Sequence, residues 1–159
     1  MIKTEIICVG KIKEKYLEDA IKEYSKRLGA YVNLELIEVK DEKTPDDASE
    51  KEIQKILKTE GDRIRKYIDE KAYVIATAIE GTQTTSEGFA SKLEGLAMRV
   101  SKIQFVIGGS LGIDEGIKRS ADELISFSKM TFPHQLMRVV LLEQIYRAYR
   151  IIRDEPYHK

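Results

Sequence analysis

The sequence predicts an α/β protein with a mostly parallel sheet and helices on both faces. Short apolar runs typical of strands alternate along the whole chain with segments of helical periodicity. No internal repeat, linker or low-complexity segment interrupts this alternation. The length of 159 residues, with 42% hydrophobic and 34% charged residues, suits a single globular domain spanning residues 1–159.

The first three elements follow from apolar patterning and two glycines. A strand is expected at 4–9, where an apolar run ends at Gly10. Apolar residues from Leu17 to Leu28 then recur at helical spacing, and Gly29 supplies a helix stop. A second strand is expected at 32–39.

The middle of the chain carries clear helix starts. Ser49 and Glu52 have the spacing of a capping box, which opens a helix after an acidic loop. A third strand is expected at about 73–79, followed by a polar loop. Ser86 is expected to cap the next helix.

The last third contains a glycine-rich turn and a long helix. A fourth strand, 103–107, leads directly into the glycine-rich segment 108–112. A short helix near 114–121 and a fifth strand near 124–128 are expected next. A loop then leads to a final helix at about 135–153.

Composition and charge narrow the possible functions. No apolar run approaches the roughly 18 residues of a membrane span, and no signal peptide is evident at the start, so a cytoplasmic location is expected. Cys8 is the only cysteine and is interpreted as a core residue. The net charge is zero, but residues 129–159 hold six basic and three acidic residues. That basic end permits a local polyanion site and is equally compatible with a solvated helix face.

Three loops are expected to meet at one edge of the sheet. If strands three, four and five are parallel, the loops 77–85, 108–112 and 128–134 follow their carboxyl ends, where ligands of open α/β sheets bind. The glycine loop matches neither a dinucleotide fingerprint nor a phosphate loop. It could be a ligand site or simply a tight turn between a strand and a helix.

The segment from Ser126 to Gln135 is unusually apolar for a loop. It contains Phe127, Met130 and Phe132, and it ends at Pro133, which can open a helix. We expect the apolar side chains of such a loop to pack either against the core of the protein or against a flat heteroaromatic ring of a ligand.

The final helix carries two adjacent apolar stripes. Met137, Leu141, Ile145, Ala148 and Ile152 form the first stripe, and Val139, Leu142, Tyr146 and Tyr149 form the second. Their combined width predicts a second packing partner, most simply another copy in a twofold dimer. An ordinary buried helix is the alternative. Arg138 falls between the stripes, so its charge must be paired or must face a site.

The terminal residues Tyr157, His158 and Lys159 place an aromatic ring, an imidazole and an ammonium side by side. They could stack on a base and contact phosphate, or they could form a frayed tail.

Several of these motifs together resemble one family. They comprise Val9-Gly10-Lys11, 105–109, 124–135, Arg138-Val139, 143–148 and Pro156-Tyr157-His158-Lys159. They resemble the pseudouridine-N3 methyltransferases of large-subunit (23S) ribosomal RNA, the RlmH family of the SPOUT superfamily. The similarity extends over essentially the whole chain. It implies an α/β fold with a C-terminal trefoil knot, a homodimer, and S-adenosylmethionine (SAM) held in the knot.

The resemblance also implies site residues. The positions that match the family's SAM contacts are Thr77, Gly108, Phe127, Ser128, Lys129, Met130, Thr131 and Phe132. Thr77 stands where the family commonly has leucine, and Leu111 is at a variable position. The active site is expected to be composite, with the tail of one protomer reaching the SAM pocket of the other.

The implied chemistry requires alignment and loss of the N3 proton. His158 is the first candidate for proton acceptor or base-positioning group, with Tyr157 beside it, and His134 is the second. Arg138, Arg147, Arg150 and Lys159 are candidates for RNA backbone contacts. No metal site is expected, because the two histidines and Cys8 lie in unrelated segments.

Two other hypotheses remain open from the sequence. One is a catalytically silent, ribosome-associated RNA-binding protein of the same fold, which SAM binding would exclude. The other is an α/β enzyme acting on a small metabolite, which the zero net charge favours. The sequence does not say whether free RNA, the large subunit or the assembled ribosome is the substrate.

Overall fold

The computed structural model describes all residues from 1 to 159. The strands are β1 (Lys3–Val9), β2 (Asn33–Val39), β3 (Tyr73–Thr82), β4 (Lys102–Ile107) and β5 (Glu123–Ile125). The helices are α1 (Lys15–Leu28), α2 (Glu50–Arg65), α3 (Ser86–Ala97), α4 (Glu115–Ser120) and α5 (His134–Ile152). The strands form one sheet in the order β2-β1-β4-β3-β5, and every pairing is parallel. The predicted α/β class and parallel sheet are confirmed.

Helices cover both faces of the sheet, as predicted. Ile6 and Cys8 of β1 point into a core shared with α1, α3 and α5. Ile7 and Val9, which alternate with them, point into a second core shared with α2 and α4. Burial raises the pKa of the Cys8 thiol to about 11, so this thiol stays protonated and serves as a core residue.

The predicted capping box at the start of α2 is confirmed, whereas the predicted N-cap of α3 was wrong by one residue. Ser49 and Glu52 form the full capping box, with the Ser49 hydroxyl accepting from the Glu52 N–H at 3.2 Å. At α3 the N-cap is Thr85, not Ser86, because the Thr85 hydroxyl accepts from the Gly88 N–H at 2.9 Å. The Ser86 hydroxyl instead donates to Gln144 of α5 at 2.8 Å.

The predicted ends of β3 and β5 were wrong. β3 continues to Thr82, because a shift in its pairing with β5 brings both Thr77 and Thr82 opposite Ile125. β5 stops at Ile125, because the Ser126 hydroxyl donates to the Ser128 carbonyl at 3.0 Å and turns the chain out of the sheet. Residues 126–133 are therefore a loop.

The second apolar stripe of α5 packs inside the chain rather than against another copy. Leu142 is fully buried, and Tyr149 stacks on Tyr31 with ring centroids 5.8 Å apart. Tyr146 lies against Tyr24 and Tyr31 at 6.4 and 6.0 Å. The excess apolar surface is explained by α1 and the turn after it, so this stripe gives no support for a dimer.

The chain crosses the carboxyl edge of the sheet before α5. It leaves β5 at one edge of the sheet, and α5 begins beside the end of β1, where the Arg138 guanidinium reaches the Gly10 carbonyl. This crossing is consistent with the expected C-terminal knot, which stays a prediction. None of the five helices has the length and apolar character needed to span a bilayer.

Candidate active site

A cavity of about 660 Å³ opens at the carboxyl ends of β3, β4 and β5. Three chain segments line it, namely 77–80, 107–113 and 125–135 without Lys129, together with Lys118 and Met137. The second and third segments include the predicted loops after β4 and β5, whereas the first lies within β3, where the sequence had predicted a loop from residue 77. The volume lies in the range of pockets for drug-sized ligands and cofactors.

The glycine loop needs its glycines because it folds back on itself. A Cβ on Gly108 would stand 2.2 Å from the carbonyl oxygen of Gly112, which no packing adjustment tolerates. Gly112 has a φ of +90°, and its N–H donates to the Gly109 carbonyl at 3.0 Å. The loop is therefore a fixed turn that forms one wall of the cavity.

The loop after β5 supplies the opposite wall. Its first half is braced by the Ser128 hydroxyl, which accepts from the Met130 N–H at 2.9 Å. Phe127 packs edge-on against Phe89 of the core, while Met130 is 76% exposed. The backbone N–H groups of Phe127, Thr131 and Phe132 have no partner within the chain. The cavity-lining residues of this loop thus include apolar side chains and residues whose backbone donors are unpaired.

Thr77 and Lys129, two of the expected SAM contacts, and the variable Leu111 have different surroundings. The Thr77 hydroxyl donates to the Val106 carbonyl at 3.2 Å, so this side-chain group is already used within the sheet. Leu111 lines the cavity. Lys129 is exposed and does not line it, so its expected contact with SAM stays a prediction.

His134 lines the cavity as the first residue of α5. Its Nε2 atom lies beside Gly10, 3.7 Å from where a Cβ on that glycine would stand. Burial lowers the pKa of His134, and the Arg138 charge lowers it further, against opposing effects of Asp41 and Glu14. The imidazole is therefore neutral at pH 7 and keeps one nitrogen lone pair to accept a proton.

Arg138 is not placed to contact RNA, contrary to the sequence-based prediction. It is 3% exposed, and its Nη1 donates to Glu38 at 2.6 Å. Its Nη2 donates to the carbonyl oxygens of Val9 and Gly10 at 3.0 and 2.6 Å. The charge is paired inside the fold, and the guanidinium ties α5 to the end of β1.

The C-terminal tail folds onto its own chain, away from the cavity. Tyr157 packs edge-on against Tyr146 at 4.9 Å, and its hydroxyl donates to Glu143 at 3.1 Å. Burial and this neighbouring carboxylate raise the pKa of Tyr157 to about 12, so the phenol stays protonated. No tail residue lines the cavity of the same chain.

Two of the other expected RNA contacts are engaged within the chain. Arg147 forms an ion pair with Glu143 one helical turn earlier, at 2.6 Å, and lies over the Tyr157 ring. Arg150 is paired with Glu155 and donates to the Pro156 carbonyl at 2.7 Å. Lys159 is exposed and forms no ion pair.

Sequence reasoning missed Glu87. This residue lies in the first turn of α3 and contacts His158 at 2.7 Å. An acidic residue in a first helical turn is ordinary, and nothing in the sequence connects it to a residue 71 positions away. No cluster of three or more potential metal ligands occurs in the chain.

Comparison with known proteins gives a consistent result. Residues 2–158 match a family model described as a predicted SPOUT methyltransferase. A "Ribosomal RNA large subunit methyltransferase H" from Bifidobacterium adolescentis is 60% identical over 159 residues, which is 99% of this chain and 100% of that protein. A protein of the same name from Exiguobacterium sibiricum is 59% identical over 155 residues, covering 97% of this chain and 98% of that protein.

Among solved structures, a probable methylase family protein from Haemophilus influenzae has a similar fold. The TM-score is 0.55, and the match covers 100% of this chain and 72% of that one. Sequence identity is 13%, so this likeness shows the fold alone.

Proposed function

Because the chain belongs to the SPOUT methyltransferase family, we propose that it is a SAM-dependent methyltransferase of large-subunit ribosomal RNA, acting on N3 of a pseudouridine in 23S rRNA. Relatives 60 and 59% identical to nearly the whole chain carry the name ribosomal RNA large subunit methyltransferase H. The observation that carries the proposal is the cavity at the carboxyl ends of β3, β4 and β5. A ribosomal substrate also implies action in the cytoplasm.

The cavity suits SAM in chemistry as well as in size. The unpaired N–H groups of Phe127, Thr131 and Phe132 offer donors for the acceptor nitrogens of an adenine. The apolar residues around them, including Ile107 and Ile125, suit the faces of its ring. Bound SAM would supply a methyl group on a sulfonium, an electrophile that needs no activation by the protein.

The protein must then provide a base for the N3 proton of the pseudouridine. As N3 forms its bond to the methyl carbon, the carbon–sulfur bond breaks, and the N3 proton passes to a base. His134 lines the cavity and is neutral at pH 7, so it can accept that proton. The protonated Tyr157 phenol, which donates to Glu143, is unsuited to the same task.

A homodimer would bring the tail to a cavity. The tail lies outside the cavity of its own chain, so Tyr157, His158 and Lys159 can meet a bound nucleotide only at the cavity of a second copy. Leu136 and Val140 on α5 are half-buried and belong to neither core, which leaves them available for a partner. RNA backbone contacts are then assigned to Lys159 and to the parts of Arg147 and Arg150 that remain exposed.

Labelled SAM separates this proposal from its alternatives. We expect binding of SAM by calorimetry and transfer of label to ribosomal particles, with none to small metabolites. Free 23S rRNA, large subunits and whole ribosomes, tested in parallel, would identify the form of the substrate. Binding to ribosomal particles without any binding of SAM would instead indicate a silent RNA-binding protein.

A further inference from the structure

The imidazole of His158 is held at both ring nitrogens. Nδ1 lies 3.2 Å from Nη1 of Arg147, and Nε2 lies 2.7 Å from Oε1 of Glu87. A guanidinium can only donate, so Nδ1 must accept. The ring proton of the neutral imidazole therefore resides on Nε2 and is donated to Glu87.

We propose that Glu87 is a positioning residue for the tail, fixing the tautomer and orientation of His158 for the composite site. The effect of Glu87 on catalysis rests on the proposed function, whereas the contact between Glu87 and His158 is independent of it. Glu87 reaches His158 from the first turn of α3, whereas Arg147 reaches it from α5. The two helices thus form a clasp, defined here as Glu87, Arg147 and His158.

Neighbouring contacts make the clasp part of a preformed unit. Glu143 pairs with Arg147 and also accepts from the Tyr157 hydroxyl. The guanidinium of Arg147 lies 4.7 Å from the centroid of the Tyr157 ring, so it is held between an aromatic face and a carboxylate. The aromatic ring and the imidazole are therefore oriented before any RNA arrives, which reduces the entropy lost on binding.

The clasp changes the role assigned to His158. With Nδ1 accepting from Arg147 and the Nε2 proton donated to Glu87, neither nitrogen is free to receive the N3 proton. His158 is then a group that orients the tail and the target nucleotide. Proton acceptance falls to His134, the other histidine, which lines the cavity.

Nuclear magnetic resonance of the two imidazoles tests the contact directly. His134 and His158 are the only histidines, so H134Q and H158Q variants assign the ring nitrogen signals. We expect His158 to show a protonated Nε2 whose hydrogen exchanges slowly with water. E87A should accelerate that exchange by roughly two- to fivefold, the range expected for an ion pair whose carboxylate is largely exposed. E87Q, whose amide oxygen can still accept, should restore slow exchange.

Glu94 provides a matched control on the same helix. It is exposed and forms no ion pair, so E94A should leave the His158 signals unchanged. An Nε2 hydrogen that exchanges at the same rate in wild type and E87A would overturn the proposal.

The rate of methyl transfer tests whether Glu87 contributes to catalysis. E87A should lower kcat on ribosomal substrate by roughly two- to fivefold with SAM affinity unchanged, while E87Q and E94A stay near wild type. Wild-type rates in E87A, despite altered His158 signals, would remove Glu87 from catalysis. If wild-type protein methylates no ribosomal substrate, the proposed function fails, whereas the exchange measurement still decides whether Glu87 fixes His158.

Discussion

The guanidinium of Arg138 donates a 2.6 Å hydrogen bond to the carbonyl oxygen of Gly10, a residue 128 positions earlier in the chain. The bond fixes the first turn of α5 to the end of β1. His134, one turn before Arg138, is thereby held beside Gly10 at the cavity. The buried Arg138 guanidinium thus positions a residue that lines the cavity without lining it itself.

Replacing Arg138 with methionine should destabilise the protein. The variant keeps much of the side-chain volume but leaves the carbonyls of Val9 and Gly10 without this buried donor, at a cost of about 1–3 kcal/mol for each group left unsatisfied. Chemical denaturation gives the free energy of unfolding. R119Q is the control, because Arg119 is exposed and unpaired. Equal stability of R138M and wild type would refute the structural role.

A side chain at position 108 should abolish SAM binding. G108V forces the loop to open, because even a Cβ would stand 2.2 Å from the Gly112 oxygen. Calorimetric titration with SAM measures the loss. G95A is the control, since no atom lies within 4 Å of the added methyl group, and in a helix it should stabilise by up to about 1 kcal/mol. Unchanged SAM affinity in G108V would remove the glycine loop from the site.

Acid should destabilise the fold through His134. Folding lowers the pKa of His134 below its unfolded value of about 6.5, so the unfolded state binds more protons as the pH falls through that range. Its contribution to stability is therefore complete above about pH 6.5 and is lost on acidification. The free energy of unfolding, measured from about pH 7 to 5, should fall more steeply for wild type than for H134Q. Parallel curves would show that the His134 pKa is not lowered.

Removal of Tyr157, His158 and Lys159 should separate SAM binding from catalysis. The tail lies on the outer surface of α3 and α5, so folding and SAM affinity should remain nearly intact. Methyl transfer should fall at least about tenfold, equivalent to roughly 1.4 kcal/mol of transition-state stabilisation, and H158A should reproduce much of that loss.

Mixing this truncated chain with G108V extends the test to the homodimer. Each mixed dimer would keep one intact cavity and one intact tail, so some activity should return. Normal activity of the truncated chain alone would leave the tail without a catalytic role.

Predictions from the sequence were most accurate for features that depend only on residues close together in the chain. The capping box of Ser49 and Glu52 is local, and the alternating elements with apolar strands identify a parallel sheet. The convergence of the loops after β4 and β5 beside the end of β3 followed from strand direction alone.

Errors arose where distant residues decide the outcome. The periodicity of α5 shows that Leu142 and Tyr149 are buried but not that Tyr31 and its neighbours bury them. Arg138 had to be paired or to face a site, and only the fold shows that Glu38 and two carbonyls take up its charge. The contact between Glu87 and His158 depends on how α3 packs beside α5, which no local pattern encodes.

Mass mapping of ribosomal RNA tests the central claim most directly. Ribosomes lacking the modification are incubated with the protein and isotopically labelled SAM, and the nucleolytic fragments of the RNA are then weighed and sequenced. A single labelled methyl group on N3 of one pseudouridine in 23S rRNA is expected, and G108V should leave the RNA unlabelled. Label on another nucleotide, on the small-subunit RNA or on no RNA at all would contradict the proposed function.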